Sequence, residues 1–138
     1  MATTATITLT SADIAGDPVN VSKTMTCTKA GATTDLDQST GLNRVHLRST
    51  TQKTLFTGNA EGNDLAAKVY IINKAIDPTL YVSVAIAGQS IGKLYAGDWM
   101  FIPWGAEHAD SDIGLEAQTG TNKITYTLFH EGRTLTAS

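Results

Sequence analysis

Between Leu80 and Ile86 the apolar residues Leu80, Val82, Val84 and Ile86 recur at every second position, with Tyr81, Ser83 and Ala85 between them. Successive side chains of an extended strand point to opposite faces, so this spacing makes one apolar face on a strand and no stripe on a helix. The same reading covers the whole stretch from Ala67 to Trp104. Val69 to Ile72 is a short apolar run ending at Asn73, and Asp77-Pro78 punctuates. Gly88-Gln89 reads as a turn, Ile91 to Tyr95 as extended, Ala96-Gly97-Asp98 as a second turn, and Trp99 to Trp104 closes the unit. No gap between these runs is long enough for a crossover helix, so an antiparallel meander is expected here rather than a βαβ unit.

The alternation returns on both sides of this unit. Ala5 to Thr10 puts Ile7 and Leu9 on one face. Val19 to Cys27 puts Val19, Val21, Lys23, Met25 and Cys27 on one side and Asn20, Ser22, Thr24 and Thr26 on the other. Leu42 to Ser49 carries Val45 and Leu47, with His46 facing the opposite way, and Thr51 to Gly58 carries Leu55 and Phe56. Ile113 and Leu115 make at most a short strand. Lys123 to His130 sets Ile124, Tyr126 and Leu128 against Thr125, Thr127 and Phe129, and Arg133 to Thr136 reads as an edge strand. Polar, Gly- and Asp-rich segments separate these runs, with Thr119 to Asn122 expected as a hairpin turn. No segment carries a helical period. The expectation is an all-β single domain over residues 1–138, an antiparallel sandwich or jelly-roll-like barrel of about eight to ten short strands. Residues 1–18 are expected as an extended N-terminal arm.

Charged residues make up 17% of the chain, below the usual quarter, and threonine is abundant, so solubility rests on hydroxyls more than on charge. The net charge is −3, and Lys and Arg are scattered singly, which gives no basic patch for nucleic acid. No apolar run approaches the roughly 20 residues of a spanning helix. The N-terminus MATTATITLT lacks the basic and apolar regions of a secretory signal, so synthesis in a cytoplasm is expected. The single cysteine, Cys27, lies in an alternating segment and reads as a small buried apolar residue rather than a reactive thiol.

Catalytic or metal chemistry finds little footing. The run Gly97 to His108 resembles the second metal motif of cupins, in which a glycine, a proline, a glycine and a histidine follow at this spacing. That resemblance implies His108 as a ligand of a divalent metal, with His46 as a second. It is incomplete: Arg48 stands where the family has a histidine, no glutamate follows at the expected distance, and His130 belongs to a separate strand. The carboxylate pairs Asp35/Asp37 and Asp110/Asp112 sit in polar loops and read as solvated turns. A calcium site from Asp110, Asp112 and Glu116 would lack the twelve-residue loop pattern. No glycine-flanked serine elbow or phosphate-binding loop is present. The chain is expected to be non-enzymatic and without a cofactor, with a cupin-like metal protein using His108 and His46 as the alternative.

The aromatic strand is more informative. Trp99 and Phe101 share one face, while Met100, Ile102 and Trp104 share the other, so both faces are apolar. Such a strand is either buried on both sides of a sandwich or has one face in the core and one against another subunit. Stacking on sugar rings is a third use of these aromatics.

Taken together, the segments Ala67 to Lys74, Tyr81 to Val84, Ile91 to Asp98, Trp99 to Trp104 with its terminal Pro103-Trp104, and Lys123 to Phe129 resemble small virion structural proteins of tailed bacteriophages. The resemblance covers residues 67–131; the first 66 share only an Ala/Thr/Ser-rich texture. It implies a capsid decoration (cement) protein that binds and stabilises the lattice of the major capsid protein, acts as a homo-oligomer such as a trimer, and resides on the virion surface. The residues expected at the interfaces are Ile7 and Leu9 of the arm, together with Trp99, Phe101 and Trp104. A tail or fibre β-module that binds host-surface glycan is the other particle role compatible with the pattern.

Overall fold

The computed structural model describes residues 3–12, 19–36, 38–48, 52–58, 66–105, 111–118, 120–131 and 136–137. Among them there is no helix, and the strands are β1 (Thr4–Ser11), β2 (Val19–Thr26), β3 (Gln38–Ser39), β4 (Asn43–Arg48), β5 (Gln52–Thr57) and β6 (Ala67–Asn73). The remainder are β7 (Tyr81–Ile86), β8 (Gln89–Tyr95), β9 (Trp99–Pro103), β10 (Ile113–Ala117), β11 (Thr121–His130) and β12 (Thr136–Ala137). All pairings are antiparallel.

Two sheets stack as a sandwich that stays open at its edges and does not close into a barrel. The first has β11 at its centre, with β3 and β4 on one side of it and β6 then β9 on the other. The second runs β12-β5-β10-β7-β8. From β4 to β11 the chain alternates between the sheets, staying in one only for the β7–β8 hairpin. The resulting orders, β4-β11-β6-β9 over β5-β10-β7-β8, are those of a jelly roll. The expected meander over Ala67 to Trp104 is therefore wrong in its pairing. Only β7 and β8 are a hairpin; β6 pairs instead with β9, Val69 opposite Ile102 and Ile71 opposite Met100. β10 and β11, which flank the expected Thr119–Asn122 hairpin turn, lie in opposite sheets and do not pair; Thr121 and Asn122 belong to β11, and Thr119 lies outside the described residues. Alternation identifies strands but does not say which neighbour each strand takes, because every antiparallel partner presents the same period.

The core lies between the sheets. Val69, Ile71, Ile124, Tyr126 and Leu128 come from the first, and Phe56, Val82, Val84, Leu94, Ile113 and Leu115 from the second. Burying each large side chain stabilises the fold by about 1.5–3 kcal/mol. Phe56 packs edge-on against Tyr126, with ring centroids 5.6 Å apart, and tilts onto Trp104 at 5.8 Å. β10 is thus a central strand with Ile113 and Leu115 in the core, more than the marginal strand expected.

Two irregularities break the period of two. Phe56 pairs with Ile113 and Thr54 with Gly114, which leaves Leu55 as an extra residue on β5 and lets Leu55 and Phe56 both turn inward. On β8, Gly92 pairs with Val84 and Ser90 with Ala85, so Ile91 is the extra residue and is left exposed.

The β7–β8 turn is Ala87-Gly88, one residue earlier than expected, with φ of 56° and 76°. Two positive φ values make the turn whose twist suits a two-residue hairpin, a geometry that favours Asn-Gly. Ala87 holds this left-handed conformation against its own Cβ, at a cost of about 1–2 kcal/mol. Replacing Ala87 with Asn keeps the backbone N–H that donates to the Asp112 carbonyl at 3.1 Å. Ala87→Asn should raise the unfolding free energy in urea by about 1 kcal/mol; a loss of stability would contradict the turn assignment.

Candidate functional site

Within the expected N-terminal arm, Thr4 to Ser11 is an extended strand. It pairs along its length with Val19 to Thr26, forming a separate two-stranded ribbon. The register sorts its side chains cleanly. Ala5, Ile7, Leu9 and Ser11 oppose Met25, Lys23, Val21 and Val19 on one face, while Thr4, Thr6, Thr8 and Thr10 oppose Thr26, Thr24, Ser22 and Asn20 on the other. The second face is a hydroxyl ladder, tied at Thr6 and Thr24 by a 2.8 Å hydrogen bond. The first is mainly apolar, interrupted by Lys23 opposite Ile7, and open to solvent: Ile7 is 41% exposed and Leu9 50%, and Val19, Val21 and Met25 are similarly exposed. A lone two-stranded ribbon is marginal in water, and among the described residues this one keeps its apolar face exposed.

At its base the ribbon approaches the outer face of the first sheet. A cleft of about 170 Å³ separates Ala5, Ile7 and Met25 from Trp99 and Phe101 of β9. It continues into an open groove of about 460 Å³ in which Tyr70, Trp99, Phe101 and Phe129 face the segment Thr3 to Thr6. β9 is the edge of its sheet, so its outer backbone groups have no strand partner among the described residues. Of the residues expected at an interface, Ile7, Trp99 (49% exposed) and the half-buried Phe101 line this cleft, while Leu9 stands farther along the same face of the ribbon and lines neither cavity. Trp104 does not join them. It is 4% exposed, stacks in the core against Phe56, and donates its Nε1–H to the Ser111 carbonyl at 2.8 Å. The alternation that puts Trp104 on the face opposite Trp99 and Phe101 is the same one that sends it into the core. The ribbon's second strand adds Val19, Val21 and Met25 to the exposed face, residues that the sequence did not single out. Their alternation was visible, but the register that aligns them with Ile7 and Leu9 was not.

The histidines do not converge. His46 is exposed on β4 opposite Lys123, His130 is buried with Nδ1 3.2 Å from the Glu131 carbonyl, and His108 lies outside the described residues. No group of three or more His, Cys, Asp or Glu side chains is placed to hold a metal among the described residues. Of the carboxylates weighed for calcium, Asp112 instead accepts the Gly58 N–H at 2.7 Å, Glu116 stands on β10, and Asp110 lies outside the described residues. Cys27 is fully buried. Burial pushes its thiol pKa up, and Lys68 only partly opposes this. Neither a model of a known protein family nor a curated protein matches this chain.

Two outcomes follow from these burials. Thr127, 2% exposed beneath the groove, has a hydroxyl with no hydrogen-bond partner. Thr127→Val keeps the shape and removes an orphaned polar atom, so stability should rise by about 1 kcal/mol in chemical denaturation; a drop of that size would mean that the hydroxyl is satisfied. Cys27 should resist a disulfide reagent such as DTNB in the native protein and react at once in denaturant. Prompt native labelling would contradict its burial.

Proposed function

We propose that this chain is a non-enzymatic structural protein of a tailed-phage virion, most specifically a capsid decoration protein that binds and stabilises the major capsid lattice. One observation carries the reading: a projecting ribbon with an uncovered apolar face, set beside an edge strand that bears Trp99 and Phe101. A contiguous apolar patch of this kind is characteristic of a surface that is covered in an assembly. Exposed aromatic residues next to an unpaired sheet edge suit strand addition and anchor burial across a subunit boundary. A homo-oligomer, with a trimer matching threefold lattice positions, would present several such ribbons at once and gain avidity from weak single contacts. Binding of the assembled shell but not of its dissociated subunits would stabilise the shell in proportion to occupancy. The resemblance of residues 67–131 to small phage virion proteins supports the same role.

The test is immunogold electron microscopy on purified particles of the phage whose genome carries the chain. Regular labelling over the head is expected. Label confined to the tail would overturn the decoration role, and particles without the protein would overturn a virion role altogether.

A further inference from the structure

The opposite face of the sandwich carries a second concavity. On the outer side of the second sheet an open groove of about 520 Å³ runs across β5, β10, β7 and β8. The registers lay its residues out in two parallel rows. Thr54, Gly114, Ala85 and Ser90 stand side by side in one, and Gln52, Glu116, Ser83 and Lys93 in the next. The first row is a floor of small side chains, lowest at Gly114, where a Cβ would meet the Lys53 carbonyl oxygen at 3.4 Å. Both β-bulges of the sheet, at Leu55 and Ile91, flank this row on the outer strands, where bulges bend a strand and sharpen its twist. In the next row of the sheet, beside the groove lining, Tyr81 pairs with Tyr95. Their rings are 5.0 Å apart, and the Lys93 ammonium lies 4.7 Å over Tyr81.

The polar side chains of this groove are not spent on the fold. Gln52, Thr54, Ser83, Ser90 and Glu116 make no side-chain hydrogen bond among the described residues. An amide, three hydroxyls and a carboxylate therefore stand in adjacent rows with donors and acceptors unused. We infer that this groove binds an oligosaccharide. Vicinal hydroxyls of a sugar both donate and accept, which matches a mixed array of amide, hydroxyl and carboxylate, while the exposed ring of Tyr95, tilted 40° to that of Tyr81, offers an aromatic face beside the array for the C–H face of a sugar. The open shape, crossing four strands, suits an extended chain of sugar units rather than an enclosed small molecule. Glu116 and Lys93 stand in the same row with Ser83 between them, and Lys53 also lines the groove, so charges of both signs border it. This inference stands apart from the virion proposal, because the two surfaces lie on opposite faces of the sandwich.

The test is retention of the purified, full-length protein on a printed panel of hexasaccharides built from glucose, mannose, galactose and N-acetylglucosamine, followed by calorimetry with a retained glycan. Ala85→Trp fills the floor, and Glu116→Gln removes the charged acceptor without changing shape. Binding is expected to weaken at least tenfold in each, with the unfolding temperature unchanged. Retention of no glycan, or binding that Ala85→Trp leaves intact, would overturn the inference.

Discussion

The side chain of Asn73 ties the two sheets to each other. It sits fully buried at the end of β6, where its Nδ2 donates to the Leu94 carbonyl of β8 at 3.0 Å and to Oδ1 of Asn122 on β11 at 2.9 Å. Its Oδ1 accepts the Ala75 N–H at 3.0 Å, its backbone N–H donates to the Asp98 carbonyl, and its carbonyl accepts the Gly97 N–H. One residue thereby joins β6 and β11 in one sheet to β8 in the other and fixes the turns on either side of the β7–β8 hairpin. Each bond nets only about 1 kcal/mol, but leaving any of these buried groups unpaired would cost about 1–3 kcal/mol. The apolar core is indifferent to small slips of one sheet over the other. A polar junction of this kind is not, and it sets the register in which the core packs.

That register has consequences at both surfaces. With β6 held at the junction, β9 is placed outside it as the sheet edge, and Trp99 and Phe101 face outward beside the ribbon base. With β8 held, Gly92 and Ser90 take their partners around the Ile91 bulge, and the second groove acquires its floor. Among the described residues Thr127 is the one with a buried side-chain polar atom left unpartnered, while apolar area and idle polar groups are left on the outside. A chain built only to fold has no use for the exposed row of Ile7, Leu9, Val19, Val21 and Met25. Its presence is the observation on which the proposed subunit-binding role rests.

Much of the architecture was legible in the sequence. Period-two alternation located nearly every strand, and the opposed faces of Trp99/Phe101 and Met100/Ile102/Trp104 came out as read. Pairing was not legible. The β6–β9 ladder joins residues about thirty positions apart, and local alternation carries no information about distant partners. Bulges were also hidden, since the inward pair Leu55-Phe56 makes sense only against the Ile113–Gly114 register. The site was legible in part. Exposed apolar residues at Ile7 and Leu9 could be suspected, but Trp104 could be assigned to the core only once Phe56 and Ser111 were placed around it. The second groove left no motif at all, because its residues come from four strands and meet only in the folded sheet.

The central claim is that the apolar ribbon face is covered in the working protein by neighbouring subunits. The most direct measurement is the solution mass by light scattering over a range of concentrations, with amide hydrogen exchange read on residues 4–11 and 19–26. The account predicts an oligomer whose ribbon amides exchange more slowly than they do after dilution to monomer. A monomer at every concentration, with ribbon amides exchanging as fast as an unprotected hairpin, would contradict it.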